Sequence, residues 1–188
     1  MVPRVVTYPT ARPEDGERVA QLHADSWRRT YRGMFSDAYL DGDLDGERRE
    51  VWLARLARPA DNQFVCLAVT GAELAGFVCV FGADDPQWGS LIDNLHVARA
   101  HQKTGIGAAL MGRAARWLER VYADRGVYLW VLEGNRAARR FYHALGAANA
   151  GAVENEVHPG HWNVSCRYVW SSPALLARAA VGRGGHIE

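Results

Sequence analysis

The stretch from Gly89 to Leu132 restricts the fold more than any other part of the chain. "GSLIDNLHV" (89–97) reads as a strand. Residues 103–124 then carry Ile106, Leu110, Trp117, Leu118 and Val121 at helical spacing. "VYLWVL" (127–132) follows as an unbroken apolar run between turn residues, the pattern of a strand buried on both faces. Strand, helix and strand in this order make a crossover unit, so the 89–97 and 127–132 strands are expected to lie parallel.

The remaining elements fit around that unit. "RVVTY" (4–8) reads as a first strand, and Pro13, Glu14 and Asp15 suit a helix start. Val19, Leu22, His23, Ser26, Trp27 and Thr30 then form a helical stripe. The segment 34–59 is expected to break at Gly42 and Gly46 and to resume as a helix ending near Pro59. "QFVCLAV" (63–69) and "ELAGFVCVFG" (73–82) flank the tight-turn sequence "TGA", and the polar turn "ADDPQ" leads on to the 89–97 strand, so an antiparallel meander is expected. "NRAARRFYHALG" (135–146) is a short helix capped by Asn135 and ended by Gly146. A weak strand at 147–157 and a strong alternating one at 161–170 close the domain. The fold class is therefore α/β, with a mixed, partly antiparallel sheet of about seven strands flanked by helices. Residues 1–170 form one domain, and 171–188 are expected to be a C-terminal tail of at most a turn or two of helix.

Composition narrows the function. With 22 basic and 21 acidic residues the net charge is +1, so no general polyanion-attracting field exists and nucleic acid is not an expected partner. Cys66, Cys79 and Cys166 form no CxxC pair, which argues against a zinc ribbon and for free thiols in a reducing compartment. No secretory signal is evident at the N-terminus, and no stretch approaches the ~20 apolar residues of a membrane span. A cytoplasmic location without membrane attachment is expected. His158 and His161 stand three apart in "HPGH" without a nearby carboxylate pattern, so no metal site is expected.

"QKTGIGAAL" (102–110) sets two glycines at a helix start, where a backbone can come close to a phosphate. No GK occurs anywhere, which removes a Walker loop. "GIGAAL" has Leu110 at the third position of a dinucleotide fingerprint, and the turn from Val97 to Gly105 is too long for one. "LHVARAHQKTGIGAALM" instead resembles the (R/Q)xxGxG/A loop of the GNAT superfamily of N-acetyltransferases, with Gln102, Lys103, Thr104, Gly105, Ile106 and Gly107 at its centre. "LEGNRAARRFYHALGA" is similar to that family's second motif, with Asn135, Ala138, Phe141, Tyr142, Leu145 and Gly146 in place.

The resemblance implies acetyl-CoA as co-substrate, no metal, and transfer to a primary amine of a small molecule or peptide. It places the diphosphate on the amides from Gln102 to Ala108 and the thioester arm between the two parallel strands. It also gives Val97 the thioester carbonyl, and lets Leu95 and Asn135 line the arm. Tyr142, two helical turns or ~10 Å beyond Asn135, becomes the acid that protonates the leaving thiolate. An alkyl amine with a pKa of ~10 must also lose a proton before attack. Asp93 is the first candidate base, since strand alternation puts it on the face of Leu95 and Val97; His96 on the opposite face and a direct or water-only route are the alternatives. Trp27 and Tyr31, four apart at the end of the first helix, would wall the acceptor site, although Trp27 equally suits the core. The alternative function is a non-catalytic acetyl-CoA-binding regulatory module on the same fold. A homodimer through the aromatic-rich last strands is compatible with the family.

Overall fold

β2 (Gln63–Thr70) and β3 (Glu73–Asp85) are apolar on both faces, so the sheet they form needs cover on both sides. The computed structural model, which describes residues 5–158 and 161–183, supplies that cover from two separate helical layers. Seven strands run in the order β1-β2-β3-β4-β5-β7-β6. The others are β1 (Val6–Thr7), β4 (Gly89–Val97), β5 (Val127–Leu132), β6 (Ala148–His158) and β7 (His161–Trp170). Every pairing is antiparallel except β4 with β5, the pair that the crossover pattern marks as parallel.

One face carries α4 (Ile106–Val121) and α6 (Pro173–Val181). There Ile106, Leu110, Met111 and Leu118 pack with Val78, Val80, Ile92, Val127 and Leu129. The other face carries α1 (Gly16–Thr30) and α3 (Leu44–Ala57), which bury Val19, Leu22, Trp52 and Leu56 against Val65, Leu67, Phe77 and Cys79. Alternate residues of β2 and β3 thus feed two different cores. A third cluster joins Ala24 of α1, Phe35, Leu40 of the short α2 (Asp37–Leu40), Leu44 and Leu132 at the carboxyl end of β5. It anchors the loop after α1 over that strand end.

Three local expectations change. Gly46 lies inside the first turn of α3 instead of breaking it, because the Asp43 carboxylate caps the helix by accepting from the Gly46 N–H at 3.1 Å. The segment "ADD" continues β3 as far as Asp85, where Asp85 faces Gly89 across the turn. Residues 173–181 form a docked helix, not a loose tail: Ser172 Oγ accepts from the Leu175 N–H at 3.4 Å, Pro173 opens the helix, and Leu176 and Ala180 are fully buried. Docking works because Gly112 has no side chain where α6 crosses; a Cβ there would stand 3.2 Å from the Ala180 Cβ. Arg4 of the first strand and residues 184–188 of the tail fall outside the described residues.

If α6 is part of the core, Leu176→Ala should lower stability by about 2–4 kcal/mol, as for other fully buried leucines. Urea unfolding of the two proteins measures this, and a change within a few tenths would mean that α6 is only resting on α4.

Candidate active site

β4 and β5 are paired through two residue couples alone, Ser90 with Val127 and Leu91 with Tyr128. Beyond them the strands part, while each keeps its other neighbour. β4 stays paired with β3 out to Val97, and β5 with β7 out to Leu132. A gap therefore opens between two anchored strands on the side of their carboxyl ends.

The gap begins at a bulge. β3 residues Val80 and Cys79 face Ile92 and Asn94, so Asp93 has no partner across the ladder. This irregularity corrects the expected placement of Asp93. Ile92, Leu95 and Val97 belong to the α4 face, whereas Asn94 and His96 face Cys79 and Phe77 toward α1 and α3. The extra residue lets Asp93 turn the same way. Its Oδ2 accepts from Arg55 Nη1 at 2.6 Å, and the same nitrogen donates to Asn94 Oδ1 at 3.2 Å. Asp93 is thus ion-paired away from the face that carries Leu95 and Val97.

The head of α4 closes the far end of the gap. Lys103 and Gly105 both have positive φ, +62° and +89° respectively, which swings the chain into the helix. No side chain caps this end, and the first helical bond runs from the Ala109 N–H to the Gly105 carbonyl at 3.0 Å. The amides of Ile106, Gly107 and Ala108 are consequently left facing outward with the positive end of the helix dipole behind them. Gly107 lets three elements meet: a Cβ there would stand 3.4 Å from the Phe141 ring and 3.7 Å from Val97 Cγ2. Gln102 Nε2 donates to the Val97 carbonyl at 3.2 Å and Thr104 Oγ1 to the His101 carbonyl at 2.6 Å, bracing the loop.

α5 (Arg136–Ala144) starts just past the carboxyl end of β5, and Asn135 caps it through a 3.1 Å bond from the Ala138 N–H to its Oδ1. Tyr142 lies two turns on, wedged against Phe141, Tyr168 and Trp170. It is only 9% exposed, its hydroxyl has no hydrogen-bond partner among the described residues, and that oxygen is not among the fully covered polar atoms. The hydroxyl is therefore free to donate at the edge of the core. Burial raises the Tyr142 pKa above its ordinary value, and the nearby Tyr31 phenol raises it further, so the group is a neutral proton donor at pH 7.

Tyr31 brings the α1 side into the site. It ends α1 and packs edge-on to Trp27 and Phe35, while Trp27 stacks on Phe35 at 5.6 Å. Burial pushes the Tyr31 pKa up to about 12. Behind these rings lies a buried polar group that the sequence reading leaves within a helical stripe. His23 Nδ1 accepts from Trp52 Nε1 at 2.8 Å, His96 Nδ1 and Ser26 Oγ stand 2.8 Å apart, and the two imidazoles lie 4.6 Å apart. Burial lowers the pKa of both histidines, that of His96 to about 3, and for His23 the charges of His96, Arg48 and Arg55 add to it. Both are neutral at physiological pH.

The structure thus gathers Leu95, Val97, Gln102, Gly105, Ile106, Gly107, Ala108, Asn135 and Tyr142 around one gap, with Tyr31 beside Tyr142 and Trp27 next in line. Asp93 is turned elsewhere, and Lys103 and Thr104 stay on the exposed outer loop. His23, Ser26 and Arg48 were not singled out from the sequence. Their signal was a histidine and a serine within the apolar stripe of α1.

The profile of the Acetyltransferase (GNAT) family matches residues 16–147, a span that runs from the start of α1 to the end of α5 and so contains the gap. The chain belongs to this family and is an acetyl-CoA-dependent acetyltransferase. It is 30% identical over 145 residues to the Mycobacterium tuberculosis protein named Probable N-acetyltransferase Rv2775, covering 76% of this chain and 79% of that one. Among solved structures it resembles Arabidopsis thaliana NAA60 in complex with acetyl-CoA, with a TM-score of 0.67 and 20% identity over 88% of this chain and 98% of that one. It also resembles the PaiA N-acetyltransferase of Thermoplasma acidophilum in complex with coenzyme A, with a TM-score of 0.68 and 18% identity over 86% and 98%. At these identities the two structures establish the shared fold.

The neutral histidines make stability depend on pH. Unfolded histidine binds a proton below about pH 6.5, and the folded pair does not, so stability present above that value is lost as pH falls. Between pH 6 and 5, before carboxylates titrate, each should contribute a slope of roughly 1.4 kcal/mol per pH unit at most. Urea unfolding across this range should show a steep decline that His96→Gln makes shallower; parallel profiles for the two proteins would contradict the neutral assignment.

Proposed function

We propose that the chain moves the acetyl group of acetyl-CoA to the primary amine of a small molecule or peptide by direct attack in a ternary complex. The observation that carries this reading is the gap between β4 and β5, which ends at an uncapped helix head. Coenzyme A is a diphosphate with a long amide-bearing thiol arm. The outward amides of Ile106, Gly107 and Ala108 suit the diphosphate. The parted strand edges offer ladder groups to the arm's amides, and Leu95 and Val97 supply its apolar wall. The Val97 N–H would hold the thioester carbonyl, as the family resemblance implies.

Tyr142 protonates the departing thiolate. Its raised pKa keeps the proton on the phenol at neutral pH, so the hydroxyl is present as a donor when the thiolate forms beside it. The attacking amine approaches from the α1 side, past Trp27 and Tyr31. Asp93 is a poor fit for the base, because its carboxylate is engaged by Arg55. His96 faces α1 with its Nδ1 against Ser26, but burial holds its pKa at about 3, too low for this step, so the amine gives up its proton by a direct or water-only route. The three described cysteines are free and buried, and no described helix is long and apolar enough to cross a membrane, in keeping with work in the cytoplasm.

Tyr142→Phe removes the hydroxyl and keeps the packed ring. Turnover should fall by roughly tenfold to a thousandfold, with the affinity for acetyl-CoA unchanged. Thiol release with a reactive amine reads the first quantity and calorimetric titration the second. Unaltered turnover would take Tyr142 out of the reaction, and tight acetyl-CoA binding with no transfer to any amine would favour a regulatory binding module instead.

A further inference from the structure

The α1–α3 side of the site holds two buried hydrogen-bond donors that the fold does not use: Nε of Arg48 and Nε2 of His23. The second must be a donor. Trp52 Nε1 can only donate, so it fixes His23 Nδ1 as the acceptor, and a neutral imidazole then carries its proton on Nε2. Both groups adjoin Trp27. The Arg48 guanidinium lies 4.8 Å from the centre of that ring, and the His23 ring centre is 5.2 Å from it. His23 is 2% exposed, so its unused donor lies in the interior.

Arg48 also has only a loosely held counter-ion. Its neighbours on α3 have theirs: Arg49 meets Glu17 at 2.6 Å and Arg55 meets Asp93 at 2.6 Å. The carboxylate nearest Arg48 is Glu47 at 3.6 Å, beyond hydrogen-bond range, and Glu47 accepts instead from the Tyr39 hydroxyl at 3.0 Å. Arg113 and Arg167 have an unused Nε as well, but they lie over Tyr8 and between Trp88 and Trp130, on other elements. Among the described residues, Arg48 alone combines a loosely held anion, a second idle donor nearby and a place on the Trp27 ring.

We infer that the acceptor is a small amine that also bears a carboxylate, an amino-acid-like molecule, and that Arg48 binds that carboxylate with His23 as the supporting donor. This rests on the acetyl-transfer reading above. The Arg48 side chain keeps 18% of its surface exposed, so an incoming anion meets the guanidinium at the surface first. Turning it from the Trp27 face would free Nε for a two-point grip on the carboxylate. Holding the carboxylate there fixes the amine at one end of a short molecule, leaving it to point past Trp27 and Tyr31 toward the gap. A plain alkylamine or an amide in place of the acid leaves Arg48 without its partner.

The test is a matched panel, the common amino acids against their carboxamides, followed by CoA release, with acetyl-CoA binding measured separately. Wild type should prefer acids over amides by roughly tenfold to hundredfold in kcat/KM. Arg48→Gln should erase the preference by raising KM for the acids, with kcat and acetyl-CoA affinity kept. Arg48→Lys should restore part of it, since the charge returns without the fork, and it also serves if the glutamine variant folds poorly. Equal use of acids and amides by wild type, transfer to neither while acetyl-CoA still binds, or an unchanged ratio in Arg48→Gln overturns the assignment and leaves the acetyl-CoA site standing. Failure of wild type to bind acetyl-CoA would instead remove the reading beneath it.

Discussion

The Arg55 guanidinium holds the site open. It lies over the Trp52 and Phe81 rings and reaches Asp93 and Asn94 on β4 and the Cys79 thiol on β3. Those are the residues at the bulge. A bulge is a local loss of ladder pairing, and its unpaired residue needs a partner if the irregularity is to stay in one place. Arg55 supplies it, and so fixes where β4 changes course. Beyond it, ordinary alternation sets Leu95 and Val97 toward α4 and Asn94 and His96 toward α1 and α3. In the proposed reaction one strand would thereby serve a cofactor side and an acceptor side at once.

The two sides differ in charge management. On the α4 side the groups at the gap are backbone amides and a helix end, which carry fixed partial charges and do not titrate. On the acceptor side the titratable groups are kept neutral by burial: His23 and His96 below their usual range, Tyr31 and Tyr142 above theirs. In the proposed reaction an arriving amine would meet neutral groups around the reacting centre. The guanidiniums sit one layer back on α3.

The crossover unit was legible because it is written in local periodicity: a switch from strand to helical spacing and back, bounded by Gly105 and Asn135. Both boundary residues behave as their chemistry dictates, one by positive φ and the other by capping. The side of Asp93 was not legible. Alternation counts residues along one strand, whereas the bulge is set by how β3 lines up with β4 and by an arginine 38 positions earlier. α6 escaped for a similar reason, since its helix becomes worthwhile only where Gly112 leaves room on α4. Arg48 and His23 looked ordinary in sequence. What distinguishes them is the hydrogen bond each does not make, a property that exists only once all neighbours are placed.

Opening a sheet between two central strands exposes ladder groups that would otherwise be paired, and such groups are costly when shut away from water. The fold confines that cost. β5 remains paired with β7 through all six of its residues, Val127 to Leu132, and β4 remains paired with β3 to its last residue. Past the strand ends, Ala98 donates to the Ala75 carbonyl, Gln102 covers the Val97 carbonyl, and the Glu133 N–H finds the Val164 carbonyl. Closing the gap would require breaking the Arg55 contacts and moving a strand away from a fully bonded neighbour. The separation is therefore a property of the scaffold itself, and in the proposed reaction a long amide-bearing arm would need only to fill it.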